Sequence, residues 1–366
     1  MTQELLGLLV SAALSVSSLA STVDMTDRTV TLVMVGDMLL HTPVVEAATD
    51  DEGNYDFHYL FRDLGEQIQE ADIAMVNQEV VLGGSEIGVS DYPCFNAPQE
   101  VGDALYDAGF DVVCHATNHA LDKGSRGLRN TIDYWESAHP DMVIAGIHGS
   151  AEDQQEITTI ESHGVTFAIL NYTYGTNGIA IPSDMPYGVD LLEEDRVAAD
   201  LERAEELADV TIVCPHWGVE YQLEQSASQE RWADFFIEHG ADLVIGTHPH
   251  VIQPVEERDG VPVYYSLGNY VNWTHQEGPG ICHRMIGGMA RVTFYIEEDG
   301  TVSVDHYDIE AIVDHLEEGP EAIHVYPLHA YTPELANRNE VRKQDDLFSY
   351  DYCFDVCNRV WGHKWE

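Results

Sequence analysis

Lysine is almost missing from this chain: only Lys123, Lys343 and Lys364 occur in 366 residues. With arginine included, 16 basic side chains stand against 65 acidic ones, a formal charge of −49. Such a surface repels nucleic acid and anionic membranes, which excludes nucleic acid as a partner. An anionic ligand can approach only where local cations or metal ions reverse the field. A salt-adapted composition, whose carboxylates do no more than hold water, is the plainer source of the charge. Cysteine is sparse, with six in all. Cys114 and Cys214 sit in apolar runs and read as core thiols, whereas Cys94 and Cys282 fall in loops. Cys353, Cys357 and His363 sketch a zinc site that lacks a fourth ligand. An even count permits disulfides without showing any. Internal repeats and low-complexity tracts are absent.

Long apolar runs are also rare. The one candidate, LLGLLVSAALSVSSLA at residues 5–20, is short for a membrane span. It suits the apolar core of a signal peptide, and Ser18-Leu19-Ala20 is a small-x-small cleavage pattern. Glu4, with no lysine or arginine ahead of the run, departs from that form, so a docking helix is the alternative. Residues 1–25 are thus expected to be a signal-like or anchor segment that places the protein at the cell envelope. Without that role the expectation is cytoplasmic.

What is abundant is alternation. Hydrophobic residues make up 44% of the chain, enough for a globular core. Apolar, β-branched runs at TLVMVGD (31–37), DIAMVNQE (72–79), DVVCHATNH (111–119), TIVCPHWG (211–218) and DLVIGTHPH (242–250) read as strands. Amphipathic segments near 56–70, 98–108, 124–138, 193–207 and 228–239 read as helices. Continuous apolar strands alternating with helices predict parallel sheet covered by helices. More alternating runs near 143–146, 155–160, 164–170, 251–257, 261–267, 286–296 and 302–311 predict a second sheet packed on the first. The expected division is one domain over 26–312 and a C-terminal appendage over 313–366.

Each of the five strongest runs ends in a polar donor. The first ends in Asp37 with His41 beyond it, the second in Asn77-Gln78-Glu79, and the third in Asn118 and His119. The fourth ends in His216 and the fifth in His248 and His250. Pro249 biases His248 toward extended backbone, and residues two apart on an extended chain point to one side. In open α/β sheets ligands gather at the carboxyl edge of the strands. A shared edge would bring all these donors into one crevice. Capping explains any single one of them; five in a row, mixing carboxylate, amide and imidazole, exceed that explanation. Oxygen and imidazole donors without thiolate suit Mn, Fe, Zn or Co. Six or seven donors exceed one tetrahedral zinc and fit two divalent ions sharing a carboxylate.

The stretches VGDMLLHTPV, VNQEV, FNAPQEVGDALYDAGFDVVCHATNHALDKG, HWGVEYQ, GADLVIGTHPHVIQPVE and YYSLGNYV carry a resemblance. They resemble the CapA-type poly-γ-glutamate capsule biosynthesis family, a branch of the calcineurin-like metallophosphoesterase superfamily. The resemblance implies an α/β class fold, a four-layer α/β/β/α sandwich. It implies Asp37, Glu79, Asn118, His216, His248 and His250 as metal ligands, with His41 as an addition at the first metal. His119 takes the place of the histidine over the leaving group, and Asp122 stands where it could orient it. Glu79 stands where the wider superfamily has aspartate, and the aspartate-x-histidine that opens that superfamily is reduced to Asp37. Gln78 replaces a usual leucine, and Thr117 precedes Asn118 where asparagine is common.

Trp217, Tyr221, Tyr172, Tyr174 and Trp273 are candidates to line the cleft and bind substrate, with core packing as the alternative for each. Three functions follow. One is a metal-dependent phosphoester hydrolase at the cell envelope. Another is a non-catalytic metal-binding accessory for making, exporting or anchoring an anionic polymer such as poly-γ-glutamate, within a membrane-bound capsule synthesis complex. The third is a hydrolase of that polymer's amide bonds.

Overall fold

The computed structural model describes residues 28–273, 280–319, 321–362 and 365. Residues 1–25, His363 and Lys364 lie outside them. Among the described residues the strands in chain order are β1 (Thr29–Leu39), β2 (Ile73–Gln78), β3 (Val112–Cys114), β4 (Val143–Ala145), β5 (Thr159–Ser162), β6 (Val165–Thr173), β7 (Val210–His216), β8 (Leu243–Ile245), β9 (Val255–Arg258), β10 (Val261–Tyr264), β11 (Asn269–Asn272), β12 (Ile286–Ile296), β13 (Val302–Leu316) and β14 (Ile323–Pro327). The α-helices are α1 (Thr42–Ala47), α2 (Gly65–Glu70), α3 (Glu100–Ala108), α4 (Gly124–Ala138), α5 (Glu194–Leu207), α6 (Ala227–Glu238), α7 (Pro333–Arg338) and α8 (Tyr350–Trp361).

Two sheets result. One has the order β14-β13-β12-β1-β2-β3-β4, with β11 also paired to β1; the other runs β5-β6-β7-β8-β10-β9. Strands β1 to β4 are mutually parallel, as are β6, β7 and β8. The five strongest apolar runs therefore do not share one sheet. Three lie in the first sheet and two in the second, and their carboxyl ends meet across the interface. Apolar periodicity reports how deeply a strand is buried, not which sheet it joins.

Side-chain parity separates the layers. Along β6, Phe167 and Ile169 enter the core between the sheets, whereas Ala168, Leu170 and Tyr172 enter a second core under α5 and α6. In β7, Ile212 and Cys214 face the other sheet while Val213 faces the helices. Helices α2 and α3 bring Ile68, Val101 and Leu105 to the main core, and α5 and α6 bring Val197, Leu201 and Phe236 to the second. This is the α/β/β/α sandwich. All six cysteines are free thiols, and Cys114 and Cys214 are buried as core residues.

The domain boundary expected at residue 312 falls inside β13. Beyond it β14 extends the first sheet, and the Trp361 indole on α8 donates to the Gln253 carbonyl at 2.9 Å. Residues 313–362 are thus the edge and cover of the first sheet rather than an appendage. Mixed charge disguises an edge strand, because only one of its faces is buried. Among the described residues no helix is long and apolar enough to cross a membrane.

Candidate metal centre

Strand ends deliver the donors. A β-bulge interrupts the pairing of β1 with β2 between Val35 and Asp37, and a bulge re-aims the residue that follows. Gly36 permits it: a Cβ there would stand 1.9 Å from the Gly268 carbonyl oxygen. Asp37 N–H donates to that same oxygen at 2.9 Å. Glu79 directly follows β2, and Asn118 and His119 lie in the loop after β3. His216 is the last residue of β7, and His248 and His250 lie in the loop after β8.

These side chains converge. His250 Nδ1 is 3.2 Å from Asp37 Oδ2 and its Nε2 is 3.7 Å from Glu79 Oε1. His216 Nε2 is 3.6 Å from the same Glu79 oxygen and 2.8 Å from Asn118 Oδ1. The His216 and His248 rings are 4.8 Å apart at their centroids, and those of His248 and His250 are 5.8 Å apart. Supporting contacts orient the rings: Thr247 Oγ1 lies 3.0 Å from His216 Nδ1, and Asn269 Oδ1 lies 3.1 Å from His250 Nδ1. Asn77 Nδ2 donates to Asp37 Oδ1 at 2.8 Å. Such outer contacts select the tautomer and basicity of a ligating histidine.

The extended geometry expected around Pro249 is not what brings the two histidines together. His248 has φ 98° and His250 φ 57°, both in the left-handed region that costs a non-glycine residue free energy. Tyr221 (φ 65°) and Asn177 (φ 51°) share that conformation, and both touch the centre. Tyr221 N–H donates to the Pro249 carbonyl at 2.8 Å, and Asn177 Oδ1 accepts from Asn118 at 3.3 Å. Among the described residues seven non-glycine residues have positive φ, so four of them cluster here. Strain of this kind persists only where surrounding structure holds it.

The electrostatics are those of a site built for cations. Burial and the neighbouring Glu79 raise the Asp37 pKa. Burial alone would raise Glu79 too, yet His250 and His216 hold it well below the usual carboxylate range. Burial opposes protonation of His250, but Glu79 and Asp37 outweigh it and lift its pKa to about 9. His248 is pushed far down by burial and by the two neighbouring imidazoles, so it is neutral. In the metal-free chain at neutral pH, His250 thus carries a proton between two carboxylates. A divalent ion must displace that proton. Calorimetry of Mn²⁺ uptake at pH 7, in buffers of differing ionisation enthalpy, should show release of about one proton. Affinity should rise with pH until about 9, where the His250 proton is already lost. No proton release would mean that His250 is neutral before the ion arrives.

The donor set fits divalent metal. Glu79 Oε1 and Oε2, His248 Nδ1 and Asn77 Oδ1 are buried without a hydrogen-bond partner. Unpaired buried polar atoms cost free energy that a cation would recover. Among the described residues three donor groups lie close enough to hold an ion: Glu79, His216 and His248; Asp37, Glu79 and His250; and Glu220, His248 and His250. Glu79 belongs to both fully buried groups.

Beside the donors lies a cleft of about 250 Å³ lined by His41, Phe95, His119, Tyr221, His250 and Arg284, among others. Asp122 Oδ2 accepts from Phe95 N–H at 2.7 Å and lies 2.7 Å from His119 Nδ1, leaving the other ring nitrogen for the cleft. His41 does not join the donor groups. Its Nδ1 lies 2.6 Å from Asp91 Oδ1, and its ring meets Phe95 edge-on at 5.0 Å. Asp91, remote in sequence, captures it.

Of the aromatic candidates, Tyr221 lines the cleft and Tyr174 lies against His248, with ring centroids 4.6 Å apart. The others do not. Trp217 donates from Nε1 to the Tyr265 carbonyl at 2.9 Å and stacks on Phe236 in the helix-side core. Tyr172 donates to Asp200 in that same core. Trp273 packs at the margin of the main core. Parity alone signals two of these placements: Trp217 follows His216, and Tyr172 shares the parity of Ala168 and Leu170 on β6, so each faces the helix side. Sequence reading missed Asp91, Thr247, Asn269, Glu220 and Arg284. Asn269 stands inside a matched motif, where a buried amide at a strand end was the available signal.

A family model described as bacterial capsule synthesis protein PGA_cap matches residues 31–274. The PGA biosynthesis protein CapA of Bacillus subtilis is 30% identical over 54% of this chain and 50% of its own length. The capsule biosynthesis protein CapA of Bacillus anthracis is 29% identical over 75% of this chain and 66% of its own. The chain thus spans about half to two thirds of the curated relatives it matches. A solved Staphylococcus aureus structure, described as a "Putative 5'-Nucleotidase" in complex with alpha-ketoglutarate, superposes with a TM-score of 0.50 at 15% identity. It covers 82% of this chain and 54% of that one, and it shares the sandwich fold.

Proposed function

The chain belongs to the PGA_cap family of bacterial capsule synthesis proteins, and from that premise we propose that its centre is a dinuclear, metal-dependent phosphoester hydrolase working at the cell envelope. The observation that carries this reading is Glu79, which is common to two buried three-residue donor groups. One ion would be held by Asp37, Glu79 and His250, and the other by Glu79, His216 and His248 with Asn118 beside them. Oxygen and imidazole donors favour Mn, Fe, Zn or Co. When bound there, the ions supply Lewis-acid activation of a phosphoryl group and of a water nucleophile.

The chain's own residues supply the rest. Asp122 holds the His119 ring so that its far nitrogen faces the cleft, placed to give a proton to the leaving oxygen. Phe95, packed edge-on to His119 at 4.8 Å, keeps that ring in place and water off one of its faces. The test is turnover of an aryl phosphate with Mn²⁺. His119→Ala should lower kcat by about 10²–10⁴-fold with metal content unchanged. Equal turnover in both proteins would remove His119 from the mechanism.

The names of the Bacillus relatives favour a second reading. In it the metals bind carboxylates of a poly-γ-glutamate-like polymer, for handling within an envelope complex or for cleavage of its amide bonds. Polymer binding by a protein that turns over no phosphoester would select this reading.

A further inference from the structure

We propose that Arg284, held over the Tyr221 ring, is the recognition site for a second oxyanion of the substrate, beyond the group that meets the metals. The proposal rests on the reading of the centre as a metal site and extends it to the ligand's class: a molecule with two separated anionic groups.

Cations are scarce in a chain of 16 basic and 65 acidic residues, yet Arg284 lines the same cleft as His119 and His250. Its setting is built. The guanidinium carbon stands 3.7 Å from the Tyr221 ring centroid, a cation–π geometry. Tyr221 is tied by its N–H to the Pro249 carbonyl, between the two loop histidines. The Arg284 carbonyl accepts from Asn269 Nδ2 at 3.0 Å, and Asn269 Oδ1 reaches His250 Nδ1. Both halves of the platform are therefore fastened to the residues that carry the donors, which fixes the spacing between the two anion positions. Tyr221 and His250 are 6.0 Å apart at their ring centroids, so the second position lies one ring beyond the centre.

A guanidinium carries five N–H donors in its own plane, a set that matches the paired oxygens of a carboxylate or phosphate. Half-burial strengthens that contact over one at the open surface. Glu220 lines the same wall and opposes any anion, so Arg284 must outweigh it. Removing the arginine leaves the repulsion behind. Carboxylate and phosphate share this chemistry, and two probes separate them.

The experiment titrates γ-linked triglutamate and, separately, pyrophosphate into Mn²⁺-loaded wild-type, Arg284→Gln and Arg284→Lys proteins by calorimetry, with inorganic phosphate as the single-anion control. Arg284→Gln should weaken at least one probe about 10–100-fold, the range of a charge-assisted contact. Arg284→Lys should recover part of the loss. Mn²⁺ content and inorganic phosphate affinity should stay at wild-type values. Weakened triglutamate assigns the second group as carboxylate; weakened pyrophosphate assigns it as phosphate. The proposal is overturned if both probes bind Arg284→Gln as they bind wild type, or if neither binds wild type. It is also overturned if Mn²⁺ or inorganic phosphate is lost in step. Should wild type hold no Mn²⁺, the reading of the centre fails and the proposal falls with it, whereas unchanged probe binding with Mn²⁺ in place overturns the proposal alone.

Discussion

Glu79→Ala is expected to leave the protein folded but unable to hold stoichiometric divalent metal, and to lower metal-dependent phosphoester turnover by about 10³-fold or more. Glu79 belongs to both buried donor groups, so its loss reduces each from three donors to two. Its two oxygens are buried and unpaired, with the nearest imidazole nitrogens at 3.6 and 3.7 Å. No other side chain stands in both groups. Loss of Asp37 or His216 should instead spare one group and leave partial occupancy. Metal analysis after dialysis, run beside aryl phosphate kinetics, checks both statements. Two equivalents of metal in Glu79→Ala would end the shared-carboxylate reading.

The second large effect is on stability. Asp37 and Glu79 are fully buried, and burial together with the Glu79 charge makes Asp37 harder to ionise. The proton on His250 compensates only one of the two charges. An ion that binds the native state alone adds about 2.7 kcal/mol when present at a hundred times its dissociation constant. For a chain of 366 residues that is roughly 3–4 °C in Tm. Mn²⁺ should therefore raise Tm and chelator lower it, and Glu79→Ala should abolish the difference. Scanning calorimetry with and without chelator measures it. Identical transitions in wild type would show that the centre does not bind metal as part of the native state.

Particular residues show how far the sequence could be read. The runs expected at 31–37, 72–79 and 211–218 agree with β1, β2 and β7 to within two residues at each end, because continuous apolar runs bounded by turns leave little choice. The helix over 124–138 matches α4 at both ends. His41, which the resemblance adds to the first metal, lines the cleft but stands outside the three donor groups, and Asp91, fifty residues on, lies 2.6 Å from its Nδ1. Trp217 adjoins a donor in sequence and faces the opposite layer in space. Arg284, within a short 3-10 turn (Ile281–Met285), has no pattern around it that announces a cleft. His248 and His250 do converge, but through two left-handed residues rather than an extended strand. Local preference at Pro249 argued for the reverse, and tertiary contacts overrode it.

Read alone, the order of residues decided what is buried, which periodicity each segment follows and which donors stand at strand ends. Those are properties of neighbours along the chain, set by side-chain polarity and backbone preference. Tertiary structure alone decided that the donors come from two sheets and that one carboxylate serves both groups. It also decided that Arg284 and Tyr221 close the cleft while Trp217 and Tyr172 do not. Contacts between residues tens to hundreds of positions apart depend on how the sheets pack and which way each side chain leaves its strand. A local pattern contains neither.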